Sequence, residues 1–493
     1  MNDDFNMKKL SSGIPGLDEV LNEGLIAGDT YLIRGGPGTG KTTVGLHYLC
    51  EGSKNGESSL FICLSESVDN IKRNAHQKGF DIQGIHFFDF TPSSEIKADE
   101  LEYNIFSSNE VEQPSLIKKI AEAIDEVNPD RLFLDGITQL SYLAVDNYQF
   151  RKQILSLVKF ASKQGGTVML SSEASEVIKD DDLQFMCDGV INLESTGEEY
   201  KLIVSKFRGS DFKKGYHTIT LSSKGILVYP SISMQEVKHD FSPEILSSGV
   251  PEIDKLLHGG IERGTTTVLS GPTGVGKSTL AIQFAKEASG RGERSVIYTF
   301  EEGVESLKHR AKSVNIPIDK MIEQDNASVE KINPLDYTPD QFAHHIRREV
   351  EQMNTKIVIL DSVSGYLLSF IRDTNHINEM LRHLHNLSEY LKSKGVTLIF
   401  ANEVHEITGQ FKVSEYGISY LADNIIFLRY LEYEGELRKA VGVLKKRLSN
   451  FEKTLREFEI TSYGIRVGRP LRELRGILSG SPELVPTKNS YDE

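Results

Sequence analysis

The sequence predicts an α/β protein built twice, with two tandem domains that each carry a mainly parallel sheet flanked by helices. Three observations predict it. First, Gly35–Thr42 (GGPGTGKT) and Gly271–Ser278 (GPTGVGKS) both fit the template G-x-x-x-x-G-K-[ST] at every fixed position. Second, their offset of 236 residues also relates Ser11-Ser12-Gly13 to Ser247-Ser248-Gly249, Asp18 to Asp254, Gly24 to Gly260 and Gly28 to Gly264. One such loop could arise by chance; two inside aligned blocks mark a duplication. Third, apolar runs alternate with helical patterns after each loop, which is the signature of a parallel sheet. The expected boundaries are a first domain over 1–235, a linker over 236–246, a second domain over 247–479 and a polar tail over 480–493.

In the first block a short helix is expected around Leu17–Leu21, and a strand over Thr30–Ile33 leads into the first glycine loop. Glycines let backbone N–H groups turn onto phosphate oxygens, and a helix N-terminus adds its dipole. The nucleotide-binding candidates are therefore Gly35, Gly36, Pro37, Gly38, Thr39, Gly40, Lys41, Thr42 and Thr43. Their counterparts are Gly271, Pro272, Thr273, Gly274, Val275, Gly276, Lys277, Ser278 and Thr279. Lys41 and Lys277 would reach the β- and γ-phosphates of a bound nucleotide, and the hydroxyls of Thr42 and Ser278 would hold Mg²⁺.

Helix is expected over Thr43–Cys50, a buried strand over Ser59–Leu64, helix over Asp69–Lys78 and strand over Ile85–Asp89. Residues 91–113 are polar and weakly patterned, hence a loop. Helix follows over Ser115–Val127. Arg131–Asp135 (RLFLD) is an apolar strand ending in a carboxylate, the Walker B pattern that sets Asp135 beside Mg²⁺. Helix over 150–164, strand over Thr167–Ser171 and β pieces at Gly189–Leu193, Tyr200–Lys206 and Thr218–Val228 close the block. The second block repeats the order. Strands are expected over Thr265–Leu269, Ser295–Phe300, Lys356–Asp361 and Val396–Ala401, with Asp361 as the second Walker B carboxylate. Helices are expected over Gln341–Gln352 and Asn378–Ser393. Ala422–Tyr433, Arg438–Lys446 and Leu455–Thr461 form a closing antiparallel region.

Glu301-Glu302 ends the strand after the second loop helix, where a carboxylate can orient and deprotonate an attacking hydroxyl or water. Glu66 matches Glu302, but Ser65 stands where Glu301 would be. The two sites should therefore hydrolyse nucleotide differently. Lys206-Phe207-Arg208 and Lys445-Lys446-Arg447 also repeat. Positions i and i+2 of a strand share a face, so each K-x-R points two cations one way. They are candidates for contacting the γ-phosphate of a neighbouring subunit.

Composition narrows the function classes. The 493 residues carry a formal charge of −15, with 24 Lys+Arg against 36 Asp+Glu in residues 1–240 and 32 against 35 in the remainder. Nucleic-acid binding through the overall field calls for a basic chain, so it is not expected. No run of about 18 apolar residues is present and MNDDFNMKKL is not a signal peptide, so a cytoplasmic protein without a membrane span is expected. Cys50, Cys63 and Cys187 have no metal or disulfide spacing. His383 and His385, two apart on a helix, face different ways and form no ligand pair.

The chain resembles the KaiC family of RecA-like ATPases over nearly its whole length. The likeness rests on SSGIPGLDEVLNEG and SSGVPEIDKLLHGG, both glycine loops, SESVDNIKRNA and EEGVESLKHRA, and both Walker B strands. It extends through SKFRGSDFKKGYH, EITGQFKVSEYGIS, LADNIIFLRYLEYEGELRKAVGVLKKR and ILSGSP. The resemblance implies a homohexamer of two-domain subunits with ATP and Mg²⁺ at subunit interfaces in both rings. It implies slow ATP hydrolysis and serine/threonine autokinase activity in the second ring. The family's paired glutamates fall on Ser65-Glu66 and Glu301-Glu302, its in-trans fingers on Lys206/Arg208 and Lys445/Arg447, and its adjacent phosphosites on Ser419 and Tyr420. A KaiB-like or other signalling protein is the regulatory partner the resemblance implies. The chain departs from the family at Tyr420, at Ser65, at Leu448 (which replaces a glycine after the second K-x-R) and in its shorter tail. A RecA-type nucleic-acid-dependent ATPase and a non-catalytic nucleotide-gated scaffold are the alternatives.

Overall fold

The computed structural model describes residues 7–91, 113–144, 146–174, 180–197, 199–232, 244–368, 376–404, 417–479 and 482–484. Most of the expected loop at 91–113, of the linker at 236–246 and of the tail at 480–493 lies outside them. The chain forms two compact units, Met1–Ser231 and Ile232–Glu493. Each unit is built on one nine-stranded, mainly parallel sheet with helices packed against it.

In the first unit six parallel strands run Ile85–Asp89, Ser59–Cys63, Arg131–Asp135, Thr167–Glu173, Thr30–Gly35 and Gly189–Thr196 across the sheet. Three antiparallel strands, Glu199–Phe207, Tyr216–Ser222 and Gly225–Tyr229, complete it. The second unit repeats the plan. Its parallel strands are Ala327–Lys331, Ser295–Thr299, Ile357–Asp361, Thr397–Glu403, Thr266–Gly271 and Asn424–Tyr433. Its antiparallel strands are Glu436–Lys446, Arg456–Thr461 and Gly464–Pro470. The central strands are continuous apolar runs because both their faces are covered. Leu32 packs into one core cluster while its neighbours Tyr31 and Ile33 pack into another.

The glycine loop leaves the C-terminal end of a central strand in each unit. Gly40 (φ 100°) and Gly276 (φ 119°) adopt left-handed backbone immediately before the helices Lys41–Lys54 and Lys277–Gly290. A Cβ on Gly276 would also stand 2.6 Å from Ile460 Cδ1. Conformation and space both demand glycine there.

The repeated lead-in is a structural device. Ser11 Oγ donates to Asp18 Oδ2 at 2.7 Å, and the Ser12 amide donates to Asp18 Oδ1 at 2.8 Å. Ser247, Ser248 and Asp254 repeat the arrangement at 2.6 and 2.8 Å. The repeated serine and aspartate thus tie a turn to the short helix beside it.

Several elements differ from the sequence reading. Thr218–Val228 is a hairpin of two strands, turning before Gly225 (φ 99°). The helices Thr138–Leu143, Asp181–Met186 and Val363–Leu367 and the strand Gly464–Pro470 were not expected. Helices of five or six residues are too short for an apolar period to register, and tertiary packing stabilises them instead.

Candidate nucleotide sites

The second unit gathers its candidates into one cleft of about 430 Å³ at the C-terminal edge of the parallel strands. Thr273, Gly274, Gly276, Lys277, Ser278 and Thr279 form its floor. Lys277 is buried, and its Nζ donates to Pro272 O at 2.9 Å. Burial pushes its pKa down; Glu403, Asp361 and Glu301 oppose that shift. Asp361, at the end of its strand, lies within the same cleft. Desolvation pushes its carboxyl up, against a hydrogen bond from Ser278 and the charges of Arg310 and Lys277. A hydroxyl and a carboxylate sharing a bond form an oxygen donor set that suits Mg²⁺.

The two glutamates are not equivalent. Glu301 Oε1 accepts a hydrogen bond from Ser362 Oγ at 2.8 Å. Glu302 is taken up elsewhere: Arg310 donates to its Oε2 at 2.6 Å and Ser306 donates to its Oε1 at 2.8 Å. Burial opposes ionisation of Glu302, yet the Arg310 and Ser306 bonds hold its carboxyl below the usual range. Arg310 also donates to Thr279 Oγ1 at 3.1 Å, so it ties the glutamate to the loop helix. Glu301 is thus held by a neutral hydroxyl, and Glu302 is clamped by the Arg310 cation.

The first unit keeps the loop and alters its surroundings. Lys41 Nζ donates to Gly35 O and Gly36 O, both at 2.9 Å, and burial lowers its pKa. Thr42 Oγ1 and Ser171 Oγ both donate to Asp135, each at 2.6 Å. Ser65 packs against Gly136, whose added Cβ would lie 2.6 Å from the Ser65 Cβ. Counted from the Walker B aspartates, Gly136 stands where the second unit has Ser362. The glutamate and its serine partner are therefore both missing. Asn74 replaces Arg310, and its Nδ2 donates a long 3.3 Å bond to Glu66.

The two K-x-R motifs lie at the opposite end of each sheet from their own glycine loop. Phe207 pairs with Gly189, which pairs with Tyr31, whereas the loop departs from Gly35. Lys446 pairs with Asn424, which pairs with Thr267, whereas the loop departs from Gly271. Four residues of strand separate the two ends, about 13 Å. The middle residues Phe207 and Lys446 point inward and are buried. Lys206 Nζ donates to Gln184 O, Phe185 O and Cys187 O at 2.8, 3.1 and 2.6 Å. Lys445 Nζ donates to Ser419 O at 3.0 Å. Arg208 and Arg447 remain half exposed beside Asp188 and Asp423. Ser419 therefore sits with Lys445 and Arg447, away from the Glu301 of its own chain.

Sequence reasoning missed Arg310, Ser362 and Glu403. Glu403 ends the strand beside the loop and accepts a hydrogen bond from Thr273. The matching Glu173 at the end of the first unit's strand is the signal that could have found it. His383 bonds Tyr366 at 2.6 Å, and among the described residues no group of three His, Cys, Asp or Glu residues could hold a metal. No helix in the described residues is long and apolar enough to cross a membrane.

The family model for the KaiC ATPase matches residues 10–233 and 246–472. The chain is 27% identical over 491 residues to the circadian clock protein KaiC3 of Synechocystis sp., covering 97% of this chain and 95% of that protein. It is 28% identical to the circadian clock oscillator protein KaiC of Picosynechococcus sp., covering 99% of this chain and 94% of the relative. The KaiC of Prochlorococcus marinus subsp. pastoris is also 28% identical, covering 99% and 96%. With two P-loop units in tandem, each matched by the model along nearly all of its length, the chain belongs to the KaiC family of ATPases.

Proposed function

We propose that the chain is a Mg²⁺-dependent ATPase whose second unit is also a serine autokinase, working across subunits of a homohexamer. The observation that carries this reading is the opposite-edge arrangement: Ser419, Lys445 and Arg447 sit at one end of the sheet, and Lys277, Ser278 and Glu301 at the other. Neither set can serve the other within one chain. Two neighbouring copies joined edge to edge would complete one site.

In that site Lys277 and the loop amides orient the phosphates of ATP. Ser278 and Asp361 would hold Mg²⁺, which supplies charge neutralisation at the β- and γ-oxygens. Glu301, held by Ser362, takes the proton from the attacking oxygen. That oxygen belongs to water in hydrolysis and to the neighbour's Ser419 in autophosphorylation. Arg447 and Lys445 of the neighbour stabilise charge on the transferred phosphoryl group. Glu302 acts through Arg310 and positions the loop helix. The output is signalling or clock-like regulation, through a KaiB-like or other protein partner.

A second reading applies to the first unit alone. Loss of both the Glu301 and Ser362 counterparts favours a nucleotide-gated scaffold with slow turnover through Glu66. Incubation with γ-labelled ATP and Mg²⁺, followed by mass-spectrometric mapping, tests the autokinase. Label is expected at Ser419 and is expected to vanish in Glu301→Gln. Undiminished label elsewhere in Ser419→Ala would reject Ser419 as acceptor.

A further inference from the structure

The second unit contains a chain of polar contacts, rooted in a buried tyrosine, whose residues have no counterparts in the first unit, and it leads towards the carboxylate in the cleft. Tyr366 lies on the short helix Val363–Leu367, directly after the Walker B strand, and is fully buried. Its Oη stands 2.6 Å from His383 Nδ1 on the helix His376–Ser393. His383 Nε2 in turn faces Asp340 Oδ1 at 3.5 Å, on the helix Pro339–Met353. Burial drives the Tyr366 phenol well above its usual pKa, so it stays protonated. The phenol and the His383 ring therefore share one hydrogen bond, and the far side of the ring lies beside the Asp340 carboxylate.

The other end of Tyr366's helix touches the reaction site. The Tyr366 amide donates to Ser362 O at 3.2 Å, and the Gly365 amide donates to Ser362 Oγ at 3.4 Å. That same Ser362 hydroxyl donates to Glu301 at 2.8 Å. A second path runs through Phe300, the residue before Glu301. Its ring lies 6.1 Å from that of Tyr366 and its amide donates to Asp361 O at 3.0 Å. Displacing Tyr366 would move Ser362 and Phe300 together, and both hold Glu301.

The duplication supplies an internal control. Counted from the Walker B aspartates, the first unit has Leu140 for Tyr366 and Pro114 for Asp340; counted from the following strand, it has Gln153 for His383. All three partners are absent from the unit that also lacks the Glu301 and Ser362 counterparts. A network serving packing alone has no reason to follow that pair.

We infer that Tyr366, His383 and Asp340 form a positioning relay that sets Ser362 and Glu301 for proton transfer in the second unit. The inference rests on the reading of Glu301 as the base. The relay residues touch neither nucleotide nor the reacting oxygen; they act through Ser362. Removing the relay should therefore lower kcat and leave the KM for ATP nearly unchanged.

The test is steady-state ATP hydrolysis by the full-length protein in Tyr366→Phe, His383→Gln and Glu301→Gln, with Tyr366→Phe also built into Glu301→Gln. Tyr366→Phe keeps the ring packing, so it separates the hydroxyl from the core. The Glu301-dependent part of turnover is expected to fall about tenfold in each relay variant. KM and the melting temperature should stay near those of the parent. In the Glu301→Gln background, Tyr366→Phe should cause no further loss, because its effect passes through the missing carboxylate. Full Glu301-dependent turnover in Tyr366→Phe and His383→Gln would overturn the relay while leaving Glu301 as base. A raised KM together with a lowered melting temperature would also overturn it, in favour of packing. Turnover unchanged by Glu301→Gln would instead overturn the reading of the base, and the relay with it.

Discussion

His47, on the first unit's loop helix, shows how one hydrogen-bond pattern sets a titration. Its Nε2 accepts the Ile226 amide at 3.0 Å, and its ring packs edge-on against Phe80 at 4.7 Å. Burial is the main reason its pKa falls to about 4; Lys78 adds to the shift and a bond to the Gly13 backbone opposes it. An imidazolium could not accept the amide, so protonation breaks the contact. The unfolded chain binds this proton near pH 6.5 and the folded chain near 4. Stability from His47 is thus complete above about pH 6.5 and is lost as pH falls towards 4, on the order of 3 kcal/mol at most. Melting curves of His47→Gln should show a weaker pH dependence across that window than the parent. An unaltered slope would remove His47 as the cause.

At the scale of elements, the close approach of Gly365 to the strand end matters most. A Cβ there would stand 2.3 Å from the Phe300 Cβ. Gly365→Ala should therefore push apart the helix Val363–Leu367 and the residue before Glu301. Overpacking of this kind costs about 1–3 kcal/mol. The expected result is a fall in melting temperature of about 2–4 °C per kcal/mol for a unit of this size. ATP turnover should fall with it. Calorimetry showing parental stability would contradict the packing described.

The same elements show what was legible in the sequence. The glycine loops and Walker B strands were readable because each is a contiguous string of residues. So was the parallel core, whose strands are apolar runs. The clamp of Arg310 on Glu302 joins a strand end to the helix Val304–Ser313 eight residues on, and the glutamate pair itself does not include its cation. The bond between Glu301 and Ser362 was not readable. It arises because Ser295–Thr299 pairs with Ile357–Asp361, placing side by side two strand ends 61 residues apart in the chain. Tertiary topology creates that contact, and no local period announces it.

For the whole molecule, the duplication has produced two units with the same sheet order and different residues around the glycine loops. The second keeps a carboxylate held by Ser362; the first has Ser65 packed on Gly136. In both units the K-x-R cations lie at the far end of the sheet from the loop, which makes assembly a condition of activity in the proposed mechanism. Sedimentation in ATP and Mg²⁺ should show hexamers, and a monomer unaffected by ATP would remove the in-trans roles of Arg208 and Arg447. The most direct test mixes two inactive variants. Glu301→Gln retains its acceptor Ser419 and lacks the base; Ser419→Ala retains the base and lacks the acceptor. Neither alone should incorporate label at residue 419 from γ-labelled ATP. Hexamers reassembled from both should label Ser419 on the Glu301→Gln chains. No label in the mixed hexamers, with normal labelling in the parent, would contradict transfer between subunits.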